Sequence, residues 1–355
     1  MNGAASRSER ANEWRRSPTL RRSRRIEEHG RSAAKLVASV NAGLAAARES
    51  DERVVMYGQD IGRNGGVFQA TAGLQERFGE RRVFDVPLAE SGIVGTAIGM
   101  AVAGLRPVVE MQFSGFVYPA FNQIVSHVAR LRKRTRGSMS LPMVIRMPYG
   151  GAVRALEHHS ESMEAIFAHV PGLKVVIPST PHDAKGLLLA AVRDPDPVIF
   201  MEPKRLYHSP QQEIPEGDYE LPLGQARVVQ EGDAVTVIGY GGQMRDIRAA
   251  AAHLKRQDIV IEVIDLRTIY PFDQETVVES VRKTGRLLVV HEGSRSFGVG
   301  AELVSFAAEE PFMYLDAPPR RHTGTDTIIP LPASEHFYFV QPEHIADAVL
   351  ELIEN

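Results

Sequence analysis

Cysteine is absent from all 355 residues. A disulfide framework, a thiolate-bound zinc or iron–sulfur centre and a cysteine nucleophile are therefore excluded. No apolar run is long enough to cross a bilayer. The longest helix-like one, residues 91–105, is broken by glycine and serine and falls short of the about 20 residues a span requires. No amino-terminal apolar stretch has the form of a signal peptide. A surplus of one charge is missing as well: 41 basic residues face 44 acidic ones, for a formal net charge of −3. No global field then draws the chain to nucleic acid or to an anionic membrane. A bacterial or cytosol-like interior suits a disulfide-free chain, and a bacterial cytoplasm is expected ahead of a mitochondrial matrix.

What is present is the composition of a globular enzyme, 43% hydrophobic and 24% charged. At roughly 100–200 residues per domain, the length predicts two domains. Residues 1–32 stand apart as a basic extension, with Arg7, Arg10, Arg15, Arg16, Arg21, Arg22, Arg24, Arg25 and Arg31. It reads either as a solvated, flexible extension or as an arm for an acidic surface. Glu9, Glu13, Glu27 and Glu28 break the acid-poor pattern of a transit peptide.

From residue 33 the hydrophobic period alternates. Helices are predicted over 34–48, 91–103, 119–134, 161–169 and 181–192, and strands over 54–57, 82–86, 107–111, 142–146, 173–178 and 197–201. Continuous apolar strands between helices predict a parallel sheet covered on both faces. The proline-bearing stretch 206–222 reads as a linker. Alternation then resumes, with strands over 235–239, 260–264 and 287–291 and helices over 244–255, 274–283, 300–309 and 342–353. The prediction is two parallel-sheet α/β domains, 33–205 and 223–355.

Ligands of such sheets bind beyond the carboxyl ends of the strands. Four segments there carry polar groups. In Phe84-Asp85-Val86-Pro87-Leu88-Ala89-Glu90-Ser91-Gly92, Glu90 opens a glycine-rich helix. It either complements the helix dipole or, walled by apolar groups, holds a proton at neutral pH. The aromatics of Gln112-Phe113-Ser114-Gly115-Phe116-Val117-Tyr118 either pack the core or stack a heteroaromatic ring. Glu157-His158-His159-Ser160-Glu161 is an exposed turn or a proton-transfer group. His291-Glu292-Gly293-Ser294-Arg295-Ser296-Phe297-Gly298 is a connector or an anion cradle at a helix start. The glycine-rich stretch 58–66 is equally open, and neither glycine-rich segment ends in Gly-Lys-Ser/Thr.

Taken in order, the motifs resemble one family. They are Tyr57-Gly58-Gln59-Asp60, Pro87-Leu88-Ala89-Glu90-Ser91-Gly92-Ile93-Val94-Gly95, Pro119-Ala120-Phe121-Asn122-Gln123-Ile124, His159-Ser160, Pro171-Gly172-Leu173-Lys174-Val175-Val176-Ile177-Pro178 and Asp265-Leu266-Arg267-Thr268-Ile269-Tyr270-Pro271. The chain resembles, over about nine-tenths of its length, the beta subunit of the thiamine-diphosphate-dependent 2-oxo acid dehydrogenases. The resemblance implies a pyrimidine-binding α/β domain followed by a transketolase C-terminal-like domain. It implies thiamine diphosphate held between this chain and an alpha subunit, in an α2β2 heterotetramer. The alpha subunit would bind magnesium and the diphosphate through a Gly-Asp-Gly segment, which this chain lacks.

By position, the resemblance makes Glu90 the partner of the aminopyrimidine ring nitrogen, Phe116 the aromatic stacked on that ring, and Leu88 and Gln112 further contacts. It makes His159 the histidine that assists acyl transfer to lipoamide. His158 stands where branched-chain members carry tyrosine and receives no role. A structural potassium ion is implied at Met143, Ala191, Val192, Asp194 and Asp196. The dihydrolipoyl acyltransferase core and its lipoyl domain are implied as further partners.

For substrate, Phe200-Met201-Glu202-Pro203-Lys204-Arg205-Leu206-Tyr207 and Lys283-Thr284-Gly285-Arg286-Leu287-Leu288 resemble the branched-chain group. Pyruvate and acetoin enzymes are the alternatives. Two other classes stay open: a non-catalytic scaffold subunit, and an unrelated nucleotide-binding α/β protein such as an electron-transfer flavoprotein subunit.

Overall fold

The computed structural model describes residues 30–151 and 153–354. The first sheet has seven strands in the order Thr268–Tyr270, Lys174–Val176, Val198–Pro203, Val144–Tyr149, Arg106–Glu110, Val54–Gly58 and Val83–Asp85. All neighbours run parallel except Thr268–Tyr270, which pairs antiparallel with Lys174–Val176. Val54–Gly58, Val144–Tyr149 and Val198–Pro203 are buried at every position. That is why their sequences run apolar instead of alternating.

The second sheet has the order Arg320–Gly324, Leu287–Ser294, Thr236–Gly239, Glu262–Asp265 and Arg227–Gln230. Its last strand alone is antiparallel. Arg227–Gln230, Thr268–Tyr270 and Arg320–Gly324 were not expected from the sequence. All three are edge strands, short and partly polar, so hydrophobic period does not mark them. Thr268–Tyr270 lies carboxyl-terminal to the linker yet belongs to the first sheet.

Two of the described helices start on a side-chain cap. Thr180 accepts from Asp183 N at 3.1 Å, with Pro181 in the first turn of Pro181–Arg193. Asp273 accepts from Thr276 N at 3.1 Å to start Gln274–Thr284, and Gly285 ends it at φ 67°.

Three expectations change. The single helix over 119–134 is instead a series of short turns around a π-helical Ile124–Val128, where Ala129 N donates to Ile124 O at 3.0 Å. Arg31 and Ser32, assigned to the basic extension, begin the strand Arg31–Ala34, which pairs with Gln212–Pro215. The linker therefore contains a strand. Residues 1–29 lie outside the described part, and so does the reading of their arginines.

Among the described residues no helix is long and apolar enough to cross a membrane.

Candidate active site

The carboxyl ends of the first sheet's strands place the expected residues along one edge. Helix Glu90–Val102 follows strand Val83–Asp85, and Tyr57 Oη donates to Ile93 O at 2.9 Å, fixing the helix's first turn to the sheet. Glu90 is half-buried at that first turn. Among the described residues its carboxylate has no hydrogen-bond or ion-pair partner. The apolar wall expected around it is not closed by this chain, because Leu88 is 65% exposed. Gly92, Gly95 and Gly99 are exposed too.

Gln112 follows strand Arg106–Glu110, and its amide donates to Asp60 Oδ2 at 3.1 Å. Asp85 accepts from Gly62 N at 2.6 Å and Arg63 N at 3.2 Å, so a carboxylate occupies the amides of the glycine-rich 58–66 loop.

Phe116 lies in the 3-10 turn Ser114–Phe116. Its ring centroid is 5.0 Å from that of His159 and 5.3 Å from that of Phe113. Phe113 meets His159 edge-on at 4.6 Å. The structure thus brings together Phe116 and His159, which are far apart in sequence. Gly115 permits it: a Cβ there would stand 2.1 Å from His158 O. His158 is exposed, 3.8 Å from Glu161. Nδ1 of His159 is buried, without a hydrogen-bond partner among the described residues. Beside this cluster opens a cleft of about 560 Å³ between the two halves of the chain, bordered by Tyr118, Glu161, Met163, Ser294, Ile328 and Tyr338.

Beneath the edge lies a buried charge cluster. Arg146 donates through Nε and Nη2 to Glu202 at 2.7 and 2.9 Å, and through Nη1 to Glu110. Burial opposes the charge on Arg146, but the two carboxylates outweigh it and raise its pKa. Burial pushes the Glu110 carboxyl up despite Arg146. These groups compensate one another and stiffen the strand ends.

Sequence reasoning missed a second polar cluster where the halves of the chain meet. Glu292 accepts from Gly151 N at 2.6 Å and from Ser162 Oγ at 3.0 Å. Burial raises its pKa. Glu164, also buried, accepts from Tyr240 Oη at 2.9 Å. The open choice for 291–298 also resolves. His291 accepts from Gly300 N at 3.1 Å and fills the helix start where an anion would sit. Burial lowers the His291 pKa to about 4, so the ring is neutral.

The donor set fits one end of thiamine diphosphate. An unpartnered carboxylate at Glu90, an aromatic face at Phe116 and an amide at Gln112 suit an aminopyrimidine. They offer neither a cation for a diphosphate nor an oxygen cage for magnesium. Among the described residues no group of three or more His, Asp or Glu side chains is placed to hold a metal ion.

The residues expected at a potassium ion do not fit one. Arg106 Nη1 donates to Val192 O at 2.8 Å and to Asp194 O at 3.5 Å. Lys174 Nζ grips both Asp194 carboxylate oxygens at 2.7 and 2.6 Å, and Arg132 Nε holds Asp196 at 2.5 Å. Met143 O accepts from Val198 N at 3.0 Å, and Ala191 O from Asp194 N at 3.3 Å. The chain's own cations already draw on the Val192, Asp194 and Asp196 oxygens, and a further cation there would meet like charge.

Comparison with known proteins completes the picture. Residues 33–210 match the transketolase pyrimidine-binding domain, and residues 224–345 match the transketolase C-terminal domain. The pyruvate dehydrogenase E1 component subunit beta of Acholeplasma laidlawii is 51% identical over 317 residues, 89% of this chain and 97% of that protein. The 2-oxoisovalerate dehydrogenase subunit beta of Bacillus subtilis is 48% identical over 320 residues, again 89% and 97%. A solved split-gene transketolase, described as an inactive beta4 tetramer, superposes with a TM-score of 0.72 at 19% identity, covering 91% of this chain and 99% of that one. It shows the fold alone. Both matched domains and these near-full-length relatives place the chain in the family of 2-oxo acid dehydrogenase beta subunits, transketolase-like oxidoreductases that depend on thiamine diphosphate.

Proposed function

We propose that this chain supplies the pyrimidine side of a 2-oxo acid dehydrogenase active site, completed by an alpha subunit in an α2β2 heterotetramer. One observation carries the reading. Glu90 is unpartnered among the described residues, beside the exposed Leu88 and on the same strand-end edge as Gln112, Phe116 and His159. Such an arrangement is half a site. The chain has no Gly-Asp-Gly segment, which supports a diphosphate and magnesium site on the partner.

Thiamine diphosphate, when bound, supplies the electron sink for decarboxylation. The chain's own residues bind and time it. Glu90 would hydrogen-bond the pyrimidine ring nitrogen, Phe116 and Leu88 would support the ring, and Gln112 would orient it. His159 packs edge-on against Phe116. Its imidazole can hand a proton to the sulfur released when a lipoyl disulfide opens to accept the acyl group. The acyltransferase core and its lipoyl domain are the corresponding partners, in a bacterial cytoplasm.

The substrate is a short 2-oxo acid. The branched-chain reading rests on the 200–207 and 283–288 segments. In the structure Phe200, Met201, Leu287 and Leu288 are core residues, so at these four positions the likeness reports packing. Pyruvate is the second reading, favoured by relatives at 51, 50 and 49% identity that carry that name.

The test is decarboxylation of 2-oxoisovalerate and of pyruvate by the chain alone and with its alpha subunit. Activity is expected only in the mixture, and the preferred acid names the substrate. Glu90→Gln in the mixture should cost at least about a hundredfold in kcat. Near wild-type turnover would remove Glu90 from its role.

A further inference from the structure

The segment that carries His159 is held from below at three backbone points. Gly151 N donates to Glu292 at 2.6 Å, and Arg154 N donates to Glu335 at 3.0 Å. The third grip is Lys204, whose Nζ donates to the carbonyl of His159 itself. Lys204 is 3% exposed, although lysine is among the residues least often buried. The same ammonium stands 5.3 Å from the centroid of Phe113, the ring on which the His159 imidazole packs edge-on. One buried cation thus touches both the backbone and the ring support of His159.

The ring needs such support. Among the described residues its Nδ1 has no hydrogen-bond partner, so none of their side chains orients the imidazole by gripping that atom. Orientation is left to the aromatic contacts and to the backbone position. We propose that Lys204 is a positioning residue for His159, setting the imidazole for the acyl-transfer step; this rests on the role proposed for His159 above.

The flanking residues give the anchor its rigidity. Lys204 opens the 3-10 turn Lys204–Leu206 directly after the buried strand Val198–Pro203. The next residue, Arg205, clasps Asp246 in the carboxyl-terminal half, with Nη2 to Oδ1 at 2.8 Å. Burial lowers the Lys204 pKa to about 8, while Glu292 and Glu335 favour its charge. Placing a lysine here carries a desolvation cost. An apolar side chain would avoid that cost but could not bond the His159 carbonyl.

The test uses the assembled enzyme and two assays of the same preparation. Decarboxylation coupled to an artificial electron acceptor bypasses the lipoyl group, and reductive acylation of an isolated lipoyl domain requires it. Lys204→Met keeps the length of the side chain and removes donor and charge. It is expected to slow lipoyl acylation at least about tenfold more than acceptor-coupled turnover, because misplacement by about 1 Å can cost a hundredfold. An equal loss in both assays, or no loss, would overturn the proposal. His159→Ala in parallel separates the two claims. If it too shows no selective loss, the role of His159 fails; if it alone is selective, only Lys204 fails. Should Lys204→Met not assemble, Lys204→Gln, which reaches less far, is read by the same ratio with the same two outcomes.

Discussion

Glu164 lies fully buried where the two halves of the chain meet, and burial pushes its pKa up to about 7 against a hydrogen bond from Tyr240. The folded state therefore holds a proton that the unfolded chain has already released. Between the unfolded value near 4.5 and about 7, folding takes up that proton. Stability must fall as pH rises through this window and stay lower above it. Below the window both states are protonated and Glu164 contributes no slope. Glu164→Gln removes the titration. Its stability relative to wild type should rise from pH 5 to pH 8 by up to about 3 kcal/mol, measured by denaturant unfolding at both pH values. A difference constant with pH would show that Glu164 ionises as an ordinary carboxylate. No period or spacing marks this residue. Its environment is assembled from Tyr149, Tyr240 and Glu292, each distant in sequence. Glu90 and His159, in contrast, sit in contiguous motifs and could be read directly.

At the scale of elements, buried strands and capped helices were legible because their causes are local. Apolar runs such as Val54–Gly58 and the proline-led Pro181–Arg193 state their conformation in their own residues. Edge strands such as Arg320–Gly324 do not, since backbone pairing to Leu287–Ser294 defines them. The turn at Val192–Asp194 shows the same limit. The family resemblance implies potassium there, but Arg106, 86 residues before Val192, supplies the charge. The guanidinium also meets Asp51 at 3.2 Å. The melting midpoint of the assembled enzyme should be the same in potassium and sodium chloride at equal ionic strength. Arg106→Ala should lower it, leaving the carbonyls without their donor at a cost of about 1–3 kcal/mol. A potassium-specific rise in the wild type would restore the ion to this turn.

At the scale of the molecule, the two sheets are not separate packages joined by a tether. Thr268–Tyr270 leaves the carboxyl-terminal half to cover the edge strand Lys174–Val176 of the first sheet. Ile177 N donates to Arg267 O at 2.8 Å and Gly224 N to Thr268 Oγ1 at 3.0 Å, so the crossing is secured on both sides. The stretch between the halves is itself tied down, because Gln212–Pro215 pairs with Arg31–Ala34 and Lys185 Nζ donates to the carbonyls of Pro215 and Glu216 at 2.8 Å each. A single protease cut between 206 and 222 should therefore yield two pieces on a denaturing gel and one species in native size exclusion. Two native species would contradict the crossing. An edge shared in this way also makes each half a custodian of the other's solubility. Expressed without residues 268–270, the amino-terminal half would present a bare row of amides and carbonyls to any chain still being made nearby.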